Sequence, residues 1–158
     1  MNILKLELTH FGKFHLKTIT FTSGLNIVYG KNEAGKSTIH AFVRSMLFGI
    51  PDTEEGNERY SHYLPWETPH DFCGRMWIKK DDKVYRIERN FLRPQPTVRV
   101  FDDETGESLQ PAKQHLRQIL SGLTETSYLN TICIEQLKSA TDPQLAKELE
   151  DMAVNASR

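Results

Sequence analysis

The sequence predicts an α/β fold, and three observations support that prediction. A short apolar run at residues 25–29 ends directly at a glycine-containing loop, which is typical of a buried parallel strand. After the loop, apolar side chains recur at i, i+3, i+4, i+7 and i+8, the stripe of an amphipathic helix. Segments of alternating polar and apolar residues, typical of half-buried strands, flank this unit on both sides. Strand, loop and helix therefore occur in the order of an α/β core.

The elements up to the end of this helix can be assigned in chain order. Ile3 to Leu8 is predicted to be a half-buried strand because leucines alternate with charged residues. Thr18 to Phe21 is predicted to be a second strand, which places an antiparallel pair ahead of residues 25–29. The helix after the loop should end at Gly49 and Pro51. Its apolar stripe consists of Ile39, Phe42, Val43, Met46 and Leu47.

Residues 51–73 are predicted to form a long loop, because they are rich in Pro, Gly, Glu and aromatic residues and show no clear period. Long loops in compact domains are often functional. Tyr60, Tyr63 and Trp66 could stack on a base, although packing over the sheet is favoured as the simpler explanation.

The following segment predicts three strands and a helix. The strands are 75–79, 84–90 and 97–101, the first two forming a polar–apolar hairpin. The helix is expected from about Pro111 to Leu120, with proline in its first turn and Gly122 just past its end.

The last part of the chain is expected to contain one more strand and a helix. A short helical turn from Thr124 leads to a strand at Thr131 to Ile134, and a helix begins at Asp142. That helix carries Leu145, Leu149 and Met152 on one face and has no clear end before Arg158. The chain is therefore expected to end within an element.

Composition limits the class of protein but not its partners. A length of 158 residues favours one domain, and the net charge of −1 argues neither for nor against nucleic-acid binding. Cys73 and Cys133 lack neighbouring ligands at metal spacing, which fits a reducing compartment and not a zinc site or a disulfide framework. No leader peptide or segment of transmembrane length is found, so a cytoplasmic protein without a membrane partner is expected.

The strongest motif is a complete phosphate-binding loop, G-x-x-x-x-G-K-S/T. It consists of Gly30, Lys31, Asn32, Glu33, Ala34, Gly35, Lys36, Ser37 and Thr38. In such a loop the backbone amides surround phosphates, Lys36 would lie between the β- and γ-phosphates, and the Ser37 hydroxyl would bind Mg²⁺. The Thr38 amide, at the helix N-terminus, would also face an anion. The sequence lacks an N-K-x-D-like guanine reader, which counts against a GTPase.

A hydrolytic loop of this kind needs a second motif, an apolar strand that ends in an acid. The one superficial match is Val98 to Glu104, where Arg99 interrupts the strand and a Thr-Gly turn follows the acids. A solvated hairpin tip explains this segment better. The chain alone should therefore bind a nucleotide but hydrolyse it poorly.

The ordered set of motifs resembles the N-terminal ATPase lobe of SMC-like proteins, which include the SbcC, RecF and RecN families. It is most similar to the bacterial YhaN-like branch. The resemblance rests on Asn2-Ile3-Leu4-Lys5-Leu6, Phe11-Gly12-Lys13-Phe14, Gly24 to Gly30, the loop, Leu47-Phe48-Gly49, Pro65-Trp66, Gly74 and Tyr85 to Arg89. It implies a nucleoside triphosphatase fold of the ABC/SMC-head type, with a mixed sheet and an antiparallel β subdomain.

The resemblance also implies roles for residues outside the loop. Gln136, after Ile132-Cys133-Ile134-Glu135, looks like the Q-loop glutamine that positions water and Mg²⁺ near the γ-phosphate. Asn32 resembles the family asparagine that faces the γ-phosphate, whereas Glu33 departs from the glycine that many transporter-type relatives have there. Lys13 lies where relatives place a basic residue near the nucleotide, but a solvated turn lysine remains an equal alternative.

In these families the catalytic carboxylates lie in a C-terminal lobe beyond a coiled coil. The resemblance thus implies that residues 1–140 are an N-terminal lobe and residues 141–158 the start of a coiled-coil helix. It further implies an ATPase in the full-length protein, with a C-terminal lobe from the same or another chain and a head-to-head homodimer. Double-stranded DNA and a nuclease subunit are the further partners implied.

Two other functions remain open from the residues. A small-molecule kinase could have this length, but it would need a lid with paired arginines, and the antiparallel strands before the loop fit it poorly. A nucleotide-gated interaction module without catalysis would fit the missing acidic motif.

Overall fold

The structure of the chain is a computed structural model that describes residues 2–20, 33–122 and 124–125, and of residues 33–37 only the backbone. This part contains six strands and three helices. The strands are β1 (Asn2–Phe11), β2 (Phe14–Thr20), β3 (Cys73–Lys80), β4 (Lys83–Asn90), β5 (Thr97–Asp102) and β6 (Ser108–Leu109). The helices are α1 (Glu33–Phe48), α2 (Glu54–Tyr63) and α3 (Ala112–Leu120). The α/β class is thus confirmed.

The strands form one antiparallel sheet in the order β2-β1-β3-β4-β5-β6. The strands predicted at 3–8, 75–79, 84–90 and 97–101 are confirmed, each slightly longer than expected. The strand predicted at Thr18 to Phe21 begins earlier, at Phe14, and is described as far as Thr20, since Phe21 lies outside the described residues. The predicted strands at 25–29 and 131–134 lie outside the described residues, as does the helix from Asp142. The mixed sheet therefore stays a prediction. In the described part, no helix is long and apolar enough to cross a membrane.

The core lies between the inner face of the sheet and helices α1 and α3. The predicted stripe of α1 is buried as a whole, with Phe42, Val43 and Met46 at 0% exposure. The sheet contributes Leu6, Leu8, Met76, Ile78, Ile87 and Val100, and α3 contributes Leu116, Ile119 and Leu120. Since burial of apolar area is the main driving force for folding, this contact fixes the position of α1 on the sheet.

The outer face of the sheet is held by cross-strand pairs. In one row, Lys5, Trp77, Arg86 and Phe101 are neighbours in register. Lys5 Nζ lies 4.0 Å from the centroid of the Trp77 ring, and Arg86 Cζ lies 4.4 Å from that of Phe101. In the next row, Arg75 lies between Glu7 and Glu88, at 3.6 and 3.8 Å. These partly exposed pairs contribute modestly to stability but cover the apolar rings on this face.

Helix α2 corrects the prediction of a loop over residues 51–73. Thr53 caps it, since its Oγ1 accepts a hydrogen bond from the Gly56 amide at 3.0 Å, and two glutamates occupy the first turn. Glycine within a helix is usually unfavourable. At Gly56, however, an added Cβ would lie 1.9 Å from the Pro51 carbonyl oxygen, so the close packing requires glycine. The helix was missed because it is polar on most of its surface and lacks an apolar stripe.

Helix α3 confirms the prediction for residues 111–120. Pro111 occupies the N-cap, and Ser121 closes the helix with φ 53°. The Nζ of Lys80 donates to the carbonyls of Gln118 and Ile119 at 2.6 and 2.8 Å. A cation at the C-terminal end is favourable to the helix dipole, so the end of β3 fixes the end of α3.

Candidate functional site

The structure describes part of the predicted phosphate-binding loop. Helix α1 begins at Glu33, inside the motif, so that Gly35, Lys36 and Ser37 lie in its first turns. The side chains of residues 33–37 are outside the described part, and so are the loop residues Gly30, Lys31 and Asn32. Gln136 also lies outside it, so its predicted Q-loop role stays a prediction.

The start of α1 supplies the geometry that an anion needs. The first four backbone N–H groups of a helix have no partner within it, and the helix dipole places partial positive charge at that end. In α1 these are the amides of Glu33, Ala34, Gly35 and Lys36, the fourth to seventh residues of the motif. A helix start of this kind favours a bound anion, so the backbone of α1 is compatible with a phosphate at this end.

The turn between β1 and β2 lies directly on the start of α1. Gly12 has a φ of 60°, and a Cβ added to it would lie 3.3 Å from Thr38 Cγ2 and 3.3 Å from Tyr63 Cδ1. Its amide donates to the Tyr63 carbonyl at 2.7 Å. Thr38 is only 8% exposed as a result. Lys13, the next residue, is exposed in the same turn, and its predicted role near the nucleotide stays a prediction.

A cluster of aromatic side chains around Phe11 holds this turn in place. Phe11 is fully buried and contacts Phe42 at 5.1 Å, Tyr63 at 5.2 Å and Phe72 at 5.3 Å between ring centroids. Edge-to-face and offset aromatic pairs are favourable beyond the area they bury. Because Phe11 precedes Gly12 directly, these contacts fix the position of the Gly12–Lys13 turn over α1.

A network of ion pairs joins α1, α2 and Glu125. Arg44 on α1 contacts Glu55 at 2.9 Å and also bonds to Glu125. Arg59 on α2 lies 3.5 Å from Glu55 and 4.0 Å from Glu125. Arg44, Glu55 and Arg59 line a cleft of about 480 Å³ between the two helices. The network holds α2 against α1 and so keeps Tyr63 in contact with the Gly12 turn.

Arg59 is the least solvated charge in this network. Its side chain is 5% exposed, and among the described residues its Nε and Nη2 make no hydrogen bond. Burial first and the neighbouring Arg44 second lower the pKa of Arg59 below its usual value, while Glu55 and Glu125 oppose that shift. Since both glutamates already share two arginines, we interpret this cluster as structural support and not as a catalytic acid–base pair.

His40, in the same cleft, should make the fold sensitive to acid. Its pKa lies below 6.5, first because of burial and second because Arg44 is near. Below pH 6.5 the unfolded chain therefore binds more protons than the folded one, and the free energy of unfolding falls as the pH drops. We expect His40→Gln to lose less stability than the wild type between about pH 7 and pH 5.5 in urea unfolding. His70→Gln, at an exposed position, should follow the wild type; equal slopes for His40→Gln and wild type would contradict the prediction.

A second cleft, of about 560 Å³, lies at the opposite end of α1. Arg89, one of its lining residues, donates to the carbonyls of Met46 and Leu47 at 2.6 and 3.3 Å, in the last turn of α1. Burial lowers the pKa of Arg89 to about 10. Leu47, the first α1 residue that lines this cleft, lies about 14 Å along the helix from Thr38, so the cleft does not belong to the predicted phosphate site.

The acidic segment at 102–104 is a hairpin tip, as the sequence favoured. Asp102 Oδ1 accepts hydrogen bonds from the amides of Glu104 at 2.9 Å and Thr105 at 3.3 Å. Asp103 Oδ1 accepts from Trp77 Nε1 at 3.2 Å on the outer face of the sheet. These carboxylates stabilise the turn and the outer face, so the interpretation of this segment as a catalytic acidic strand is rejected.

The packing interpretation holds for two of the three aromatic residues after α1. Tyr60 contacts Phe72 and lies under Arg93, and Tyr63 stacks on Phe11. Trp66 is not packed against the fold, since it is 80% exposed.

Sequence reasoning missed the contribution of Gly12 and the support from Arg59. The Thr53-Glu54-Glu55 sequence, a cap followed by acids, was the available signal for α2.

Comparisons with known proteins agree with the resemblance found in the sequence. A protein-family model described as an AAA domain matches residues 1–147. YhaN of Bacillus subtilis (strain 168) is 43% identical over 56 residues, which are 35% of this chain and 6% of that protein. The DNA double-strand break repair Rad50 ATPase of Thermococcus kodakarensis is 26% identical over 146 residues, which are 86% of this chain and 15% of that protein.

The two relatives are much longer than the part that this chain matches. The chain spans 6% of one and 15% of the other. Together with the family model, they fit the N-terminal region of an SMC/SbcC-like ATPase, and the resemblance is thereby confirmed.

Proposed function

The chain belongs to this AAA-domain family, and from that premise we propose that it is the ATP-binding lobe of an SMC/Rad50-like ATPase head. One observation carries the proposal: helix α1 begins inside the G-x-x-x-x-G-K-S/T motif, with Thr38 held beneath the Gly12–Lys13 turn. The first backbone amides of a helix have no partner within the helix and are the usual ligands of nucleotide phosphates, so the start of α1 inside the motif supports this proposal.

The residues of the motif would contact different parts of the nucleotide and its metal ion. Gly30, Lys31 and Asn32 would surround the phosphates together with the first backbone amides of α1, those of Glu33, Ala34 and Gly35, and Lys36 would contact the β- and γ-phosphates. Ser37 and Gln136 would hold Mg²⁺, which neutralises phosphate charge when bound. Lys13, exposed next to Gly12, would add a positive charge near the α-phosphate.

Hydrolysis would depend on a second lobe. Among the described residues no strand ends in acids that face α1, since the acids at 102–104 form a hairpin tip. We propose that a C-terminal lobe, from the same or another chain, supplies the catalytic carboxylate and that two heads bind ATP between them. The complete protein would then be an ATPase of DNA repair or chromosome maintenance, located in the cytoplasm, with double-stranded DNA and a nuclease subunit as partners.

The rival functions differ in how well the described fold supports them. A small-molecule kinase fits poorly, because β1 and β2 form the antiparallel pair expected to disfavour it. Arg44 and Arg59 are neighbouring arginines, but they lie on α1 and α2 and both contact Glu55, so they do not form the lid that a kinase would need. A nucleotide-gated module without catalysis describes this chain better when the second lobe is absent.

We expect the chain to bind ATP·Mg²⁺ but to hydrolyse it at a negligible rate until a C-terminal lobe is added. The physical reason is that the loop supplies positioning and charge neutralisation, whereas attack on the γ-phosphate also needs an oriented water. Phosphate release measured with and without a separately produced C-terminal lobe of the same protein tests this. Rapid release by the chain alone, or transfer of the γ-phosphate to a metabolite, would contradict the proposal.

A further inference from the structure

Trp66 is an unusual exposed side chain. Of the described residues, two large apolar side chains are exposed, Leu16 at 62% and Trp66 at 80%. The other tryptophan, Trp77, lies under Lys5 and donates its Nε1–H to Asp103. Trp66 has no such ring contact or hydrogen bond from the described residues. A packed tryptophan buries about 150–250 Å², so most of that apolar area remains available here.

The backbone around Trp66 is nevertheless held in place. The Leu64 amide donates to the Tyr60 carbonyl at 2.9 Å, which closes α2, and the Leu64 side chain packs against the core. Pro65, the residue directly before Trp66, is buried. The ring therefore extends into solvent from an anchored segment, and its exposure does not result from a frayed end.

This anchored segment starts beside the phosphate end of α1. Tyr63 accepts a hydrogen bond from Gly12 at 2.7 Å, and the Cβ position of Gly12 lies 3.3 Å from Thr38 Cγ2. Three residues of extended chain span at most about 10 Å, so Trp66 lies at most about 10 Å from Tyr63, which contacts the Gly12 turn next to Thr38. In a loop of this type the α-phosphate lies near the helix N-terminus, and the sugar and base continue beyond it.

We propose that the indole of Trp66 stacks on the purine base of the nucleotide. The inference rests on the proposed function, because it assumes a nucleoside triphosphate at the start of α1. A base has a flat apolar face, which is the surface that an exposed indole can cover. Tyr60 and Tyr63 are already packed, so Trp66 is the aromatic ring after α2 that is free to do this.

The chain has two tryptophans, so each can be observed separately. Trp77→Phe leaves Trp66 as the fluorophore, and we expect ATP·Mg²⁺ to quench its emission. Tripolyphosphate·Mg²⁺ would fill the loop without a base and should leave that emission unchanged. Trp66→Phe leaves Trp77, on the outer face of the sheet, and its emission should not respond to either compound.

Equilibrium binding gives the matching energetic test. Trp66→Ala should weaken ATP·Mg²⁺ binding about tenfold, the usual effect of losing one base–aromatic stack. Its affinity for tripolyphosphate·Mg²⁺ should not change, and Trp66→Phe, which retains a ring, should keep most of the ATP affinity. Because Trp66 is 80% exposed, these variants should fold, which circular dichroism can verify.

The outcomes separate this inference from the proposed function. ATP binding with the same affinity in Trp66→Ala, or equal quenching by tripolyphosphate, would overturn the stacking and leave the ATP-binding lobe intact. Emission that changes with protein concentration alone would assign Trp66 to a contact between copies and also overturn it. Failure of the wild-type chain to bind radiolabelled ATP in equilibrium dialysis would overturn both.

Discussion

Lys36→Ala is expected to weaken ATP·Mg²⁺ binding about 100-fold, or ~3 kcal/mol. The residue lies in the first turn of α1, where the helix dipole already attracts an anion. An ammonium group there would form charge-assisted hydrogen bonds with the β- and γ-phosphates, and these are the stronger class of hydrogen bond. Isothermal titration with ATP·Mg²⁺ measures the change in affinity directly.

Two lysines outside the loop serve as controls. Lys83, the first residue of β4, is exposed at the far end of the β3–β4 hairpin from Gly74, and Lys83→Ala should bind ATP like the wild type. Lys13→Ala should show a smaller loss than Lys36→Ala, because Lys13 would contact the nucleotide from one exposed side. Equal affinities for Lys36→Ala and Lys83→Ala would contradict a phosphate role for Lys36.

Local periodicity was enough to predict most of the described fold. Helix α1 was predicted because its apolar residues form one stripe, and that stripe packs on the sheet. The β3–β4 hairpin was predicted because its residues alternate, with Met76 and Ile78 facing the core. Helix α2 was not predicted, because it is stabilised by the Thr53 cap and by the ion pairs of Arg59. Neither feature produces a periodic pattern of apolar residues.

The site was predictable only where its residues are consecutive. The loop motif is read directly from the chain, whereas the contact of Gly12 with Thr38 and Tyr63 joins three distant segments. The pairing of Arg44 with Glu125 is likewise a long-range contact. Such contacts depend on the tertiary arrangement, and no local pattern in the sequence indicates which distant residues will meet. For the same reason, the sequence left the three aromatic residues after α1 undecided.

Gly74→Ala is expected to destabilise the fold by about 3 kcal/mol, because it introduces a clash that the core cannot relieve easily. An added Cβ would lie 2.3 Å from Phe42 Cε1 and 2.5 Å from Phe42 Cζ. Phe42 is 0% exposed and packs edge-on against Phe11, so its ring has little room to move. Alanine is usually favoured over glycine within a strand by ~0.5–1 kcal/mol, but this gain is smaller than the cost of overpacking. The free energy of unfolding in urea measures the balance.

A double-mutant cycle with Phe42→Leu tests whether the clash is the cause. Phe42→Leu alone removes ring atoms and should cost about 1–3 kcal/mol through the cavity it leaves. In Gly74→Ala/Phe42→Leu the new methyl group would occupy part of that cavity, so the combined loss should be smaller than the sum by at least ~1 kcal/mol. Additive losses would show that Gly74 is required for its backbone and not for the approach of α1. Because Phe42 lies just over one turn after Thr38, this approach also sets how closely the phosphate end of α1 sits against the sheet.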